Sequence, residues 1–320
     1  MVQLRIHIAV LNGVRICNRR KTNSKYSKRD AGFALLVVLI ALAVVSLIVA
    51  SAVEAARRQR EEASAQIEQV KQRAAMDGAI ATVAREFAES GAAPPDLLLH
   101  PETFEMGGIS VTASVRSEAS KIDLNNANSA LLRDFLIASG LKPKYAERIS
   151  DEIADWRDAD SVARPHGAET GDYLFAGRSY GPANRNFESV AELGLLLDGS
   201  DDLVTCLEPD ATVFTGRGDV DQAGASPRVR AAVIAAGGTA AARRGALSVA
   251  FVGGHYIQSG QLFEITLQVP AARPSPSRRV VIRATGNQKD PVWLLSQEAP
   301  APRAADADAA CARLRHDHPD

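Results

Sequence analysis

The sequence predicts an α+β fold: a long N-terminal helix, an antiparallel sheet packed on it, and a large α-helical domain inserted within the sheet. Three observations predict it. Residues 31–53 carry no charge. Apolar residues then recur at helical spacing as far as about residue 90. Strand-like alternation, at 109–115 and again after 247, brackets a stretch from Lys121 to Asp158 that reads as helices. With 320 residues there is room beyond an apolar anchor for one large domain or two small ones. Net charge is −1, which gives no global pull toward nucleic acid or anionic lipid.

The N-terminal helix is the first element. Ala31 to Val53 is long enough to cross a bilayer core of roughly 30 Å. A lone span must satisfy its own backbone, so it is helical. Arg15, Arg19, Arg20, Lys21, Lys25, Lys28 and Arg29 precede it, whereas Arg57, Arg58 and Arg60 after it are interleaved with Glu54, Glu61 and Glu62. That bias puts the N-terminus inside and the body outside the cytoplasm. Ile67, Val70, Ala74, Ile80, Ala84 and Phe87 continue the helical spacing, and Gly91 and Pro94-Pro95 end it. Phe33 to Ser90 as one helix is roughly 85 Å long.

Three readings compete for this segment. A secretory signal has a shorter apolar core and a small-residue exit, whereas this run passes directly into Glu54-Ala55-Ala56-Arg57-Arg58. A plain signal anchor fits the run. The third reading starts from Gly32-Phe33 at its front. A basic leader ending in Gly, followed by Phe and an apolar helix, resembles the class III signal of type IV pilins and pseudopilins. The resemblance implies that a prepilin peptidase cuts between Gly32 and Phe33 and methylates Phe33. Residues 1–32 are then a leader, and 33–95 a transmembrane and periplasmic spine. Most members of that family carry Glu at the fifth mature position, where it neutralises the N-terminal amine of a neighbouring subunit. Here that position is Val37. A subunit without the Glu has no carboxylate to offer one ahead of it, which implies a place at the filament tip.

The body follows. Ile109, Val111, Ala113 and Val115 alternate onto one strand face. Asp123, Asn125 and Asn128 offer helix caps. Leu131, Leu132, Phe135 and Leu136 form an apolar face, Gly140 ends that helix, and Pro143 opens another carrying Ile149, Ile153 and Trp156. The text KIDLNNANSALLRDFLIASGL…AERISDEIADWRDAD resembles the central helical domain of the general secretion pathway protein K family, which is similar to helix-hairpin-helix and SAM-like folds. DWRDAD…GAETGDYL…YGPANRNFESVAELGLLLDG continues the resemblance to Gly199. It covers roughly 32–286. It implies a pilin-like head from 96–120 and 206–296, with 121–205 as the inserted helical domain. It also implies a minor pseudopilin of type II secretion, single-pass in the inner membrane with its C-terminal domain in the periplasm. Such a subunit joins other minor pseudopilins in a tip complex that promotes pseudopilus assembly and export. Ser129–Gly140 and Ser226–Gly237 form a weak internal repeat, either a pseudo-symmetric pair or chance similarity between Ala-rich helices. Further strands are expected at 247–252, 262–269, 279–283 and 292–295, and a disordered tail at 297–320.

No nucleophile elbow, phosphate loop or zinc motif is present, and the expectation is that the protein is not an enzyme. His7, His100, His166, His255, His316 and His318 are scattered. The candidate site is acidic: Asp155, Asp158, Asp160, Glu169 and Asp172 lie in or beside a Gly- and Pro-containing loop. Carboxylate oxygens on such a loop suit calcium, and the family resemblance suggests calcium as well. Asp158, Asp160 and Glu169 are the expected ligands. The spacing is not that of an EF-hand, and a solvated helix end with ordinary acidic residues is the alternative. The helix-hairpin-helix likeness raises a second function, a membrane-tethered DNA-binding protein. The turn reads Gly140-Leu141-Lys142 rather than Gly-x-Gly, and Lys142, Lys144 and Arg148 are offset by Glu147, Asp151 and Glu152. Nucleic acid is therefore not an expected partner. Cys17, Cys206 and Cys311 form no CxxC pair. With Cys17 lost alongside a leader, the other two either pair in an oxidising compartment or stay free.

Overall fold

The computed structural model describes residues 28–90, 97, 100–237, 260–270, 275–287, 289–298 and 304–317. The chain divides into two compact units, 1–67 and 68–320. Helix α1 (Lys28–Ser90) begins five residues before Phe33. In the first unit the side chains of 35–53 are exposed, and this helix is long and apolar enough to cross a membrane. The two serines within 35–53 turn inward on the backbone. Ser46 Oγ donates to Leu42 O and Ser51 Oγ to Ile48 O, both at 2.8 Å, which leaves no hydroxyl unsatisfied in an apolar surrounding.

The second unit starts from the last turns of α1. Met76, Ala79, Val83 and Phe87, at spacings of three and four, are buried with Ala75. Ile67, Val70 and Ala74, assigned to the apolar face from the sequence, are exposed. Of the same assigned face, Phe87 is buried and Ile80 packs against the core, so packing begins only where the sheet does. That sheet has the order β1-β2-β5-β6-β7: β1 (Glu102–Met106), β2 (Ile109–Ser117), β5 (Leu262–Gln268), β6 (Ser277–Ala284) and β7 (Val292–Glu298). Every neighbouring pair is antiparallel. Val111, Ala113 and Val115 of β2 join Phe263, Ile265 and Leu267 of β5 and Val280, Ile282 and Ala284 of β6 in one core with α1. Phe87 meets Phe263 edge-on at 5.0 Å. β1, not anticipated, forms a hairpin with β2 through Gly107 and Gly108, whose φ values of 60° and 81° suit a two-residue turn. The strand expected at 247–252 lies outside the described residues.

Between β2 and β5 the chain builds the helical domain. It opens with a 3-10 turn (Glu118–Ser120) and β3 (Ile122–Asp123), and β3 pairs in parallel with β4 (Ala211–Thr212). Around this ribbon stand α2 (Ser129–Ala138), α3 (Pro143–Arg157), α4 (Thr170–Phe175), a 3-10 helix (Val190–Leu195), α5 (Asp201–Leu207) and α6 (Pro227–Ala235). The Asn128 side chain caps α2 at Leu131 N and the Ser226 side chain caps α6 at Val229 N. These two helices, the repeat noted in the sequence, pack against each other. The domain does not stop at residue 205. Cys206, Leu207, Ala211, Val220, Val229 and Val233 share its core with Leu132, Phe135, Ile149 and Trp156.

The tail is also corrected. Residues 304–317, expected to be disordered, form α7 (Ala304–Asp317). Ala310, Cys311 and Leu314 enter the helical core, and Cys311 is disulfide-bonded to Cys206 of α5. Composition misled because the ordering contact is covalent and 105 residues away. Burying a leucine is worth about 1.5–3 kcal/mol. Each residue fixed in a helix costs about 1–2 kcal/mol of backbone entropy.

A seam of buried charge joins sheet and helical domain. Lys121 Nζ sits 2.7 Å from Glu118 Oε1 and 2.6 Å from Glu264 Oε2 of β5. Arg279 of β6 reaches Glu208 at the end of α5 and Glu298 of β7. Arg116 of β2 holds Asp210 at 2.9 Å, and Asp210 in turn holds Arg228 of α6 at 3.2 Å. Burial works to raise the Glu264 carboxyl, but the Lys121 charge and hydrogen bond, with Arg279 and Arg116 behind, bring it below the usual range.

Lys121→Met removes the ammonium from two buried carboxylates, and urea unfolding is expected to show a loss of about 3–5 kcal/mol. Glu152 of α3 supplies a pH dependence. Buried, and accepting only Asp198 N at 3.1 Å among the bonds seen, its carboxyl is pushed up to about 7, chiefly by burial. Its contribution to stability is fully present below the ordinary carboxyl value and is lost as pH rises through about 7. The loss amounts to roughly 3 kcal/mol. In Glu152→Gln, urea unfolding between pH 5 and pH 8 is expected to lose that slope.

Candidate functional site

The run Asp155-Trp156-Arg157-Asp158 ends α3, and each of its side chains does something different. Asp155 is fully buried; its Oδ2 accepts Arg164 N at 3.0 Å and its Oδ1 lies 3.3 Å from Arg164 Nε. Trp156 stacks on Phe187 at 5.9 Å, tilts against Tyr173 at 6.4 Å, and donates to Glu192 Oε2 at 3.3 Å. Arg157 turns back to donate to Leu124 O and Ala127 O, tying α3 to the loop before α2. Asp158 faces the loop that follows.

That loop, 158–169, is held at both ends. Tyr173 anchors α4 in the core beside Trp156. Glu169 stands at the N-cap position of α4, and its backbone N–H donates to Asp172 Oδ2 at 2.9 Å. Gly167 lies so close to Asp155 that a Cβ there would be 1.9 Å from Asp155 Oδ2. Only glycine admits that approach.

Three of the five acidic residues named from the sequence converge. Asp158, Asp160 and Glu169 each bring a carboxylate oxygen within 4.8 Å of the others. Asp155 lies beneath as a floor bonded to the loop backbone, and Asp172 is a helix cap. Both oxygens of Glu169 and the Oδ1 of Asp158 are buried without a hydrogen bond of ordinary geometry, although the Glu169 carboxylate stands over the first-turn N–H groups of Thr170 and Asp172. Asp160 Oδ1 accepts Val162 N at 2.9 Å, and Asp158 Oδ2 is 3.6 Å from Arg164 Nη2. Burial raises the Glu169 carboxyl, and the charges of Asp155 and Asp158 raise it further. Burial raises Asp155 as well, against the pull of the Arg164 N–H. Buried, unpartnered carboxylate oxygens are costly unless a cation faces them. The chemistry of this donor set, all hard oxygen on a loop, fits calcium. Arg164, Gly167 and Tyr173 escaped the sequence reading. The signal for them was the run Arg164-Pro-His-Gly167, a tight return directly after the acids.

The remaining sequence-predicted positions lie apart from this cluster. Phe33 and Val37 are exposed on α1 in the first unit, and Gly32 is in the same helix. The hairpin turn at Gly140 is covered from within the chain. Arg315 Nε of α7 donates to Gly140 O at 3.1 Å, and a Cβ at Gly140 would meet Arg315 Nη2 at 2.2 Å.

Comparison with known proteins bears on this domain most directly. A family model described as Type II secretion system (T2SS), protein K matches residues 111–216. Type II secretion system protein K of Pseudomonas aeruginosa is 40% identical over 65 residues, 20% of this chain and 20% of that protein. The protein of the same description from Dickeya chrysanthemi is 38% identical over 63 residues, 20% of this chain and 17% of that protein. The chain thus aligns with about a fifth of the length of these relatives. Among solved structures, a chain of the GspK-GspI-GspJ complex from the enterotoxigenic Escherichia coli Type 2 Secretion System matches with a TM-score of 0.53. That match has 14% identity and covers 74% of this chain and 99% of that one. It bears out the fold: mixed helix and antiparallel sheet behind a long N-terminal helix. The resemblance read from the sequence is borne out over this domain: residues 111–216 match the type II secretion system protein K family.

Proposed function

We propose that this chain is a minor pseudopilin at the tip of the type II secretion pseudopilus, where it promotes pseudopilus assembly and protein export across the outer membrane. The observation that carries the reading is a protein K domain inserted in a sheet on the same chain as an apolar, exposed helix. On this reading a prepilin peptidase cuts between Gly32 and Phe33, Phe33 is methylated, and α1 stays in inner-membrane lipid with the rest in the periplasm. The disulfide supports a body outside the cytoplasm. The solved relative lies in a complex with GspI and GspJ, which supports other minor pseudopilins as partners here. Val37 supports the tip position, since no carboxylate is offered to a subunit ahead. No catalysis is part of the reading.

Calcium is part of it. Asp158, Asp160 and Glu169 would hold the ion, which would neutralise the buried oxygens of Glu169 and tie the end of α3 to the start of α4.

Three experiments test these statements. In cells with a prepilin peptidase, the mature N-terminal peptide is expected to begin at Phe33 with one added methyl. Val37→Glu buries an unpaired carboxylate at the tip and is expected to cut secretion and co-purification with the other minor pseudopilins about tenfold. An intact leader, or a Val37→Glu variant that assembles and secretes as before, removes the reading. For calcium, saturation at about a hundred times Kd stabilises by roughly 2.7 kcal/mol. Thermal unfolding is therefore expected several degrees higher in calcium than in chelator, with no difference in Asp160→Asn/Glu169→Gln. Equal midpoints for the native sequence would refute the site.

A further inference from the structure

We propose that α7 is a clasp closed by oxidation. Joined through Cys206–Cys311, it completes the helical domain; with both cysteines reduced, it leaves.

The argument rests on what holds α7 in place. Its buried side chains are Ala307, Ala310, Cys311 and Leu314, so a single large apolar group enters the core. The ties made by Arg313 and Arg315 lie at the surface. Arg313 Nη2 meets Asp202 Oδ1 at 2.6 Å with both side chains partly in water, and Arg315 Nε donates to Gly140 O. Exposed ion pairs contribute little. A 14-residue helix is marginal in water even when rich in alanine. These contacts are too few to order the whole segment, and the covalent bond provides the remainder by removing freedom from the released chain. The bond is also well placed to be the last to form. Both cysteines are buried, Cys206 completely, so the thiols are covered only once α7 has docked.

The chemistry is thiol–disulfide exchange. A disulfide donor, either a protein disulfide or oxidised glutathione, accepts two electrons and the two thiol protons of Cys206 and Cys311. It leaves as two thiols, and one S–S bond forms for the one that breaks. Arg228 assists at one sulfur. Its Nη1 lies 3.3 Å from Cys311 Sγ and 3.3 Å from Cys206 O, while its Nε is held by Asp210 at 3.2 Å. A guanidinium beside sulfur favours the thiolate, the attacking and leaving form. When the clasp opens, it uncovers α5 around Cys206 and the hairpin turn at Gly140, which Arg315 otherwise fills.

The test is hydrogen exchange with mass spectrometry on the full chain in detergent micelles. It compares the oxidised protein, the same folded protein after phosphine reduction and alkylation, and the Cys206→Ser/Cys311→Ser variant. Amides of 304–317 are expected to exchange about tenfold faster or more in the reduced and variant proteins, while 129–157 keep their protection. Unchanged protection at 304–317 overturns the clasp, because the other contacts then suffice. Loss of protection at 129–157 as well, in the reduced native sequence, also overturns it, since the bond would then hold the whole domain. Cys206 and Cys311 that alkylate without reductant overturn it at the outset.

Discussion

The sheet is interrupted, and the structure depends on how the interruption is closed. β2 leaves the sheet at Ser117 and β5 enters it with Phe263 paired to that same residue. Bringing together ends so far apart in sequence costs loop-closure entropy before any pairing is gained. The charge seam offsets that cost at the point of closure. Lys121 stands just past the exit from β2, and its partner Glu264 stands just past the entry to β5, 143 residues later. Such a buried pair need not exceed apolar residues of equal volume in stability. Half of it, however, is strongly unfavourable, so Lys121 and Glu264 specify which strand returns beside β2. Arg116–Asp210 and Arg279–Glu208 repeat the device on neighbouring strands. The helical domain is thereby fixed to three strands rather than hung from two linkers.

The same economy of charge shapes the acidic loop, with the opposite outcome. In the seam every buried carboxylate faces a cation. In the loop, Arg164 is the one cation among the described residues that pairs with Asp155 and Asp158, and Glu169 pairs with none. Packing does not force this imbalance. Gly167 is kept small so that Asp155 fits beneath the loop, and Tyr173 and Trp156 fix both ends. The scaffold holds three carboxylates together against their repulsion, which is the arrangement expected where something positive is to be accommodated.

Elements with strong local periodicity were legible in the sequence. The inner faces of β2 and β5 follow the predicted alternation, and the two helices around Phe135 and Ile153 end and begin at Gly140 and Pro143 as their residues dictate. The three converging carboxylates were legible because the acids cluster in one short glycine-containing loop. The misses share a cause. β1 alternates exposed and half-buried residues and carries little apolar signal, although Gly107-Gly108 marked its turn. α6 is Ala-rich with weak amphipathicity, so its membership of the helical core showed only through its likeness to α2. The stripe on α1 was extended too far toward the N-terminus because Ile67 and Val70 are as apolar as Met76 and Val83, and only the position of the sheet decides between them. α7 reads as tail because composition cannot report a bond to a distant cysteine.

The two halves of the second unit differ in what they require. The sheet and the end of α1 are held by an ordinary apolar core, Val83, Phe87, Ile265 and Ile282 among it, which forms wherever there is water. The helical half contains the disulfide, and the proposed calcium site would be its second cross-link. Thiols are kept reduced in the cytosol, and free calcium is scarce there by comparison with the outside. On the proposed periplasmic placement, both the disulfide and the calcium would become available only after export. Because the seam fixes the helical half to three strands, its completion bears on the whole head. On that placement, ordering of the 158–169 loop and docking of α7 would fall on the far side of the membrane from synthesis. The disulfide ties α7 to the buried core of the helical half, with Cys206 wholly covered and Cys311 nearly so.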